Sequence, residues 1–216
     1  RCAQDMVEVP SHLWEHFAVD PETLSLLARS RGGDRTPLPK GAARQLVGAR
    51  RRFSALELQS QVLLALVDQH YFGPAARSAA MVAEEAGEHG STIRGLPETS
   101  ALWAHVARRL SSVPHPPGTH PQARVSHFTV YGASYYSYVY ARFLSAAAWN
   151  KYLDGCPLDR AAGDAVWKGL LVPGGTIEPV DLVRGLLGPD ALQQWPSGGW
   201  ALRLDDATIA CVQRSF

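Results

Sequence analysis

An all-α protein is what this sequence predicts, and three observations carry the expectation. Apolar residues return every three or four positions through most of the chain, strand-like alternation is scarce, and proline and glycine gather between the periodic stretches. The 216 residues are 46% hydrophobic and 19% charged. That balance excludes a disordered polyelectrolyte and suits a chain burying about 70% of its unfolded surface.

After Pro10, Ser11 opens a helix in which Leu13, Trp14, Phe17 and Ala18 recur at helical spacing. A loop bearing glycine and proline occupies 31–39. From Lys40 to Tyr71 there is no proline, and Leu46, Phe53, Leu56, Val62, Leu63, Leu66 and Val67 predict one long helix or two joined near Gly48. Its run Arg50, Arg51, Arg52 reads as a solvated face, because adjacent helical positions point in different directions. A short helix is expected over 75–88, then a proline-rich loop over 111–122. A second long helical region is expected over 125–153, with a break at Gly132. Pro173-Gly174-Gly175 makes a turn, and 179–187 forms a last helix with proline in its first turn. Residues 189–216, which contain Pro196-Ser197-Gly198-Gly199, show no period and are expected to be a divergent, irregular tail to the body over 1–188.

Charge and cysteine narrow the function classes. Twenty-one basic against 20 acidic residues leave a net of +1, too balanced for binding nucleic acid or a membrane surface by bulk charge. No run approaches the roughly 18 apolar residues of a membrane span. The three cysteines, Cys2, Cys156 and Cys211, are far apart and lack any C-x-x-C spacing, which argues against a disulfide framework or a thiolate zinc site. The opening Arg1-Cys2-Ala3-Gln4 shows neither an initiator methionine nor a targeting pattern, and reads as a piece of a longer polypeptide.

Three constellations could carry chemistry. Glu8, just before Pro10-Ser11, is either a metal-ligating carboxylate or an acid placed to favour a helix start. His12-Leu13-Trp14-Glu15-His16 fits H-x-x-E-H, with two imidazoles on one helical face and Glu15 as a base. It lacks an identified third ligand, although Glu84, Glu85 and Glu88 are available, and the plain alternative makes both histidines surface residues. His127, Tyr131, Tyr135 and Tyr138 step by four, four and three, which on a single helix confines them to an arc of roughly 80°. Such a stripe is either core, with Tyr136, Tyr140 and Phe143 as a second buried stripe beside it, or a row of donors for an oxyanion.

A resemblance spans these pieces. VEVPSHLWEHFA, the PLP at Pro37, ALELQSQVLLALVDQHYFG, HFTVYGASYYSYVYARFLSAAAW and DRAAGDAVWKGLLVPGGTIEPVDLVRGLLG occur in that order from about residue 5 to 188. Together they resemble the C-terminal part of the catalytic domain in the thimet-oligopeptidase (M3) family of zinc metallopeptidases, nearest to its mitochondrial, presequence-trimming branch. The resemblance implies the C-terminal helical lobe of a zincin-like oligopeptidase that takes peptides or precursor proteins as substrate in the mitochondrial matrix. It implies Glu8 as the third zinc ligand, Glu15 as an acid that orients a ligand from behind, His127, Tyr135 and Tyr138 as transition-state donors, and Tyr131 as a substrate-binding group. His12 and His16 then fall on positions that need no histidine. The family's H-E-x-x-H, source of two zinc histidines and the general base, is matched by none of the eight histidines. The expectation is therefore a zinc endopeptidase fragment, inactive without the N-terminal part of its polypeptide. The alternative is a non-catalytic helical module that binds a peptide or partner. Cys156 stands where the family tends to carry an acid.

Overall fold

The protein is described by a computed structural model covering residues 2–73, 98–196 and 198–215. It is mostly helical and forms two compact units, one from Arg1–Ala55 with Tyr140–Phe216, the other from Leu56–Val139.

In the first unit α1 (Gln4–Val7) runs into α2 (Val9–Ala18) through Glu8, whose φ of −94° and ψ of −2° keep the backbone in the helical region. Pro10 sits in the first turn of α2, where a missing N–H costs nothing. α3 (Pro21–Leu27) is started by Asp20, which accepts the Thr23 N–H at 2.7 Å, a cap that typically stabilises by about 1 kcal/mol. After the 28–39 loop, α4 (Lys40–Arg50) packs on α3. Its junction with α5 (Ser54–Phe72) is a 3₁₀ turn at Arg51–Phe53, not a break near Gly48. Gly48 stays inside α4, and the chain tightens where the Arg51 N–H is shared between the carbonyls of Val47 and Ala49.

Two π-helical turns shape the rest of this unit. α8 (Tyr136–Ala148) ends in one at Trp149–Leu153, and α9 (Arg160–Val166), capped by Asp159, ends in another at Trp167–Leu171. The second closes on α10 (Pro179–Leu187) through Gly169, where an added Cβ would stand 3.1 Å from the Leu186 side chain. The Leu186 carbonyl is one of the acceptors a helix end leaves open. It receives the Lys151 ammonium at 2.9 Å and the Tyr152 hydroxyl. On α8 the buried face is Ala141, Leu144, Ser145 and Ala148. Tyr136 is exposed and Tyr140 and Phe143 are half-buried, so the second aromatic stripe does not build the core. Small side chains hold that position because they let neighbouring backbone approach.

The segment after Gly188 is ordered. Strands β1 (Leu192–Gln194) and β2 (Trp200–Leu202) pair antiparallel with Leu192 opposite Leu202, and α11 (Asp206–Ser215) comes next. Arg184 lies 4.2 Å over the Trp200 ring, and Cys211 and Val212 are buried. α11 meets both the Arg51–Phe53 and the Trp149–Leu153 turns. No period is legible over most of this stretch because a 3₁₀ turn and a hairpin of three-residue strands are too short to show one, and α11 follows them directly.

The second unit is built on α5 and α6 (Glu98–Leu110), a helix not anticipated from the sequence. Its core is Leu63 and Val67 from α5, Leu102, Trp103 and Val106 from α6, and Phe128. In the proline-rich stretch the Ser100 hydroxyl meets His120 Nδ1 at 2.8 Å and accepts from Gln122 Nε2 at 2.5 Å, tying 120–122 to α6. α7 (His127–Val130) comes after it. The helix expected over 75–88, with Glu84, Glu85 and Glu88, lies outside the described residues.

Removing residues 189–216 uncovers the surface that Val212 and Cys211 close. Because burying one such side chain is worth about 2 kcal/mol, the shortened chain should lose at least about that in urea unfolding, and an unchanged midpoint would mean the hairpin and α11 do not support the core. Asp205 accepts the Thr208 N–H at 2.7 Å, which lowers its carboxyl below the ordinary 3.8. A lowered native pKa gives stability that is complete above 3.8 and lost as pH falls through the lowered value. Asp205→Ala should therefore cost about 1 kcal/mol at neutral pH and less on acidification, read from urea midpoints at several pH values.

Candidate active site

His127, Tyr131, Tyr135 and Tyr138 come together, but not as a stripe on one helix. His127 opens the single turn of α7, Tyr131 ends it, Tyr135 closes a non-helical turn and Tyr138 sits in the first turn of α8. The break expected at Gly132 is this turn, and it folds the rings around the imidazole more closely than helical spacing would. Ring centroids lie 5.1 Å (Tyr131), 4.8 Å (Tyr135) and 5.5 Å (Tyr138) from that of His127, with Tyr135 and Tyr138 presenting edges. Tyr135 and Tyr138 are themselves 5.3 Å apart.

The turn is held from α5. Asp68, with 0% of its surface exposed, accepts the Ala133 N–H at 3.1 Å with one oxygen and the Tyr135 N–H at 2.8 Å with the other. Gln69 Nε2 donates to the Ala133 carbonyl at 2.9 Å. Ala133 has φ of +62°, a left-handed conformation that a Cβ disfavours. The Tyr135 hydroxyl donates to Gln61 Oε1 at 3.2 Å, which aims the ring. Sequence reasoning passed over Asp68, Gln69 and Gln61. The available signal was an acid four residues after Leu64 in an otherwise apolar run, where helical periodicity calls for an apolar side chain.

Among the described residues the His127 Nε2 atom is covered and has no hydrogen-bond partner. A buried nitrogen left so costs about 1–3 kcal/mol, so such atoms tend to mark places a ligand or reacting group completes. Tyr71 packs edge-on against Phe128 and donates to the Thr99 carbonyl, and burial pushes its phenol above the ordinary range.

In the first unit Glu8 is half-buried at the α1–α2 junction, and its carboxylate accepts the Ser11 hydroxyl at 2.7 Å. Glu15 Oε2 lies 3.1 Å from His12 Nδ1 and 3.3 Å from the Arg142 guanidinium. His12 and His16 are buried, 7% and 4% exposed, and are not the surface residues the plain alternative made them. His16 stacks on Trp149 at 5.2 Å, because the face of α2 that carries both histidines is the one packed inward. The H-x-x-E-H geometry is thus spent on packing and an internal ion pair. Among the described residues no three His, Cys, Asp or Glu side chains gather closely enough to hold a metal ion. Glu8 offers a single carboxylate, and the described residues do not by themselves make a zinc site.

Known proteins are similar to this sequence. Residues 1–195 match the profile of peptidase family M3. Mitochondrial intermediate peptidase of Arabidopsis thaliana is 34% identical over 89% of this chain, that of Neurospora crassa 32% over 89%, and that of Rattus norvegicus 32% over 87%. These alignments take in 25%, 22% and 24% of the relatives, so the chain spans about a quarter of their length. With nine-tenths of its residues inside that match, the chain belongs to peptidase family M3.

Proposed function

We propose that the chain is the C-terminal part of the catalytic domain of a zinc metalloendopeptidase of the mitochondrial matrix, cleaving oligopeptides or the N-terminal presequences of imported precursor proteins. The observation that carries it is the unpartnered His127 Nε2, ringed by Tyr131, Tyr135 and Tyr138 on a turn fixed from outside. Membership of a peptidase family gives that cluster a reaction to serve.

Each residue then has a role. His127, Tyr135 and Tyr138 donate hydrogen bonds to the oxyanion that forms when water adds to a peptide carbonyl, Tyr135 by exchanging its bond to Gln61 Oε1; donors seated on a fixed turn keep reorganisation small as the charge appears. Tyr131, more than half exposed, supplies a surface along which the peptide binds. Glu8 contributes one carboxylate to zinc, and two histidines and the general-base glutamate come from the N-terminal part of the polypeptide. Glu15 acts from behind by orienting a zinc-ligating histidine of the N-terminal part, its carboxylate also meeting His12 and Arg142. Without an H-E-x-x-H the chain lacks its base, and alone it is inactive.

Metal analysis of the purified chain should find less than stoichiometric zinc, and peptide assays with and without a chelator should find no turnover. Stoichiometric zinc with chelator-sensitive cleavage by this chain would defeat the proposal. In the complete polypeptide Tyr138→Phe should lower kcat by about 100-fold with zinc content unchanged, and an unaltered kcat would reject the donor role. A complete polypeptide that binds peptides without cleaving them would establish the alternative, a binding module.

A further inference from the structure

Three side chains of α5 grip the turn that carries the tyrosines. Asp68 takes the N–H groups of Ala133 and Tyr135, one on each oxygen, and Gln69 takes the Ala133 carbonyl. One helical turn further on, the Phe72 ring fills the space beside Gly132, where an added Cβ would come within 2.9 Å of it. Positions 68, 69 and 72 of one helix thus seat residues 132, 133 and 135 of the turn.

Chemistry singles out the acid. A carboxylate has two acceptor oxygens and makes stronger, shorter bonds to N–H than a neutral acceptor. An asparagine of the same size would present one oxygen and set its NH₂ group against the second N–H. Both bonds are needed because Ala133 is held left-handed, and a turn released at Tyr135 N would relax toward an ordinary backbone and swing the ring away. Simple packing would place an apolar residue at 68, between Leu64 and Phe72 on the same helical face.

We propose that Asp68 is a positioning residue for the oxyanion donors, setting the direction of Tyr135 and, through the turn, the placement of Tyr138 against His127. This rests on the peptidase proposal above, and it predicts a loss in turnover that leaves ground-state binding alone.

The test uses the complete zinc-loaded polypeptide, with Asp68→Asn, Tyr138→Phe and the double variant compared for kcat, KM, zinc content and urea midpoint. Asp68→Asn should lower kcat by about 100-fold with KM and zinc unchanged, and adding Tyr138→Phe should cost less than about threefold more, because donors already misaimed act as one unit. An unchanged kcat, or two losses that multiply, would overturn the assignment. So would a kcat that falls only with the folded fraction.

Since Asp68 is fully buried and replacing it also risks unfolding the chain, Gly132→Ala makes the same test without touching the carboxylate. It should lower kcat alone, and Phe72→Leu in that background, which opens space beside residue 132, should restore at least about tenfold. Absence of rescue would overturn the seat on α5. A wild type that cleaves nothing defeats the peptidase proposal and this one with it, whereas a wild type that cleaves beside unaffected variants defeats only this one.

Discussion

The turn between α7 and α8 exists because one buried carboxylate receives two of its backbone N–H groups. The chain from His127 through Tyr140 has no proline, but its aromatic, β-branched, serine and glycine residues are weak helix formers, so local preference by itself fixes neither helix nor turn there. Leaving the helix strands N–H groups that helical carbonyls would have taken, and a stranded buried N–H costs about as much as a lost hydrogen bond. Asp68 takes two of them at 3.1 and 2.8 Å. The cost of burying an acid is offset by those charge-assisted bonds, and the left-handed Ala133 is carried along with them. The tyrosines converge on His127 only once this exchange is made.

The first unit handles its helix ends in the same way. The Leu186 carbonyl in the last turn of α10 is not left to solvent; Lys151 and Tyr152, neighbours in a π-helical turn, both donate to it. That turn has one residue more than α-helical geometry allows, and the extra residue redirects the chain beyond it. A second such turn puts Gly169 against Leu186, a contact that any larger side chain would push apart. The hairpin and α11 complete this core with Val212 and Cys211. Around α2 an internal ion pair, Glu15 with His12 and Arg142, and the stack of His16 on Trp149 settle the orientation of the helix that starts at Glu8.

How much of this was legible depends on the range of the interaction. Leu63, Val67, Leu144 and Leu182 announce helices through local spacing, and proline's own geometry marks the starts at Pro179 and near Pro10, the latter helix beginning at Val9, two residues before the expected Ser11. The junction at Arg51–Phe53 was displaced from Gly48 because a glycine makes a break affordable without requiring one. α6 was passed over although Leu102, Trp103, Val106, Ala107 and Leu110 in ETSALWAHVARRL recur at helical spacing and form its buried side. His12 and His16 looked like surface because imidazoles are at home in either setting.

Local preference, read along a line of residues, therefore determined the helical class, the ordered motifs carried the resemblance to the family, and His127 falls with the three tyrosines in one short segment. Local preference could not determine their arrangement. That was decided by Asp68, 59 positions before His127 in the chain, because a hydrogen bond that bends one segment is supplied by another, and no periodicity within either records it. The tertiary structure also decided that the two histidines of the H-x-x-E-H pattern pack inward, since which face of a helix is buried depends on what lies against it.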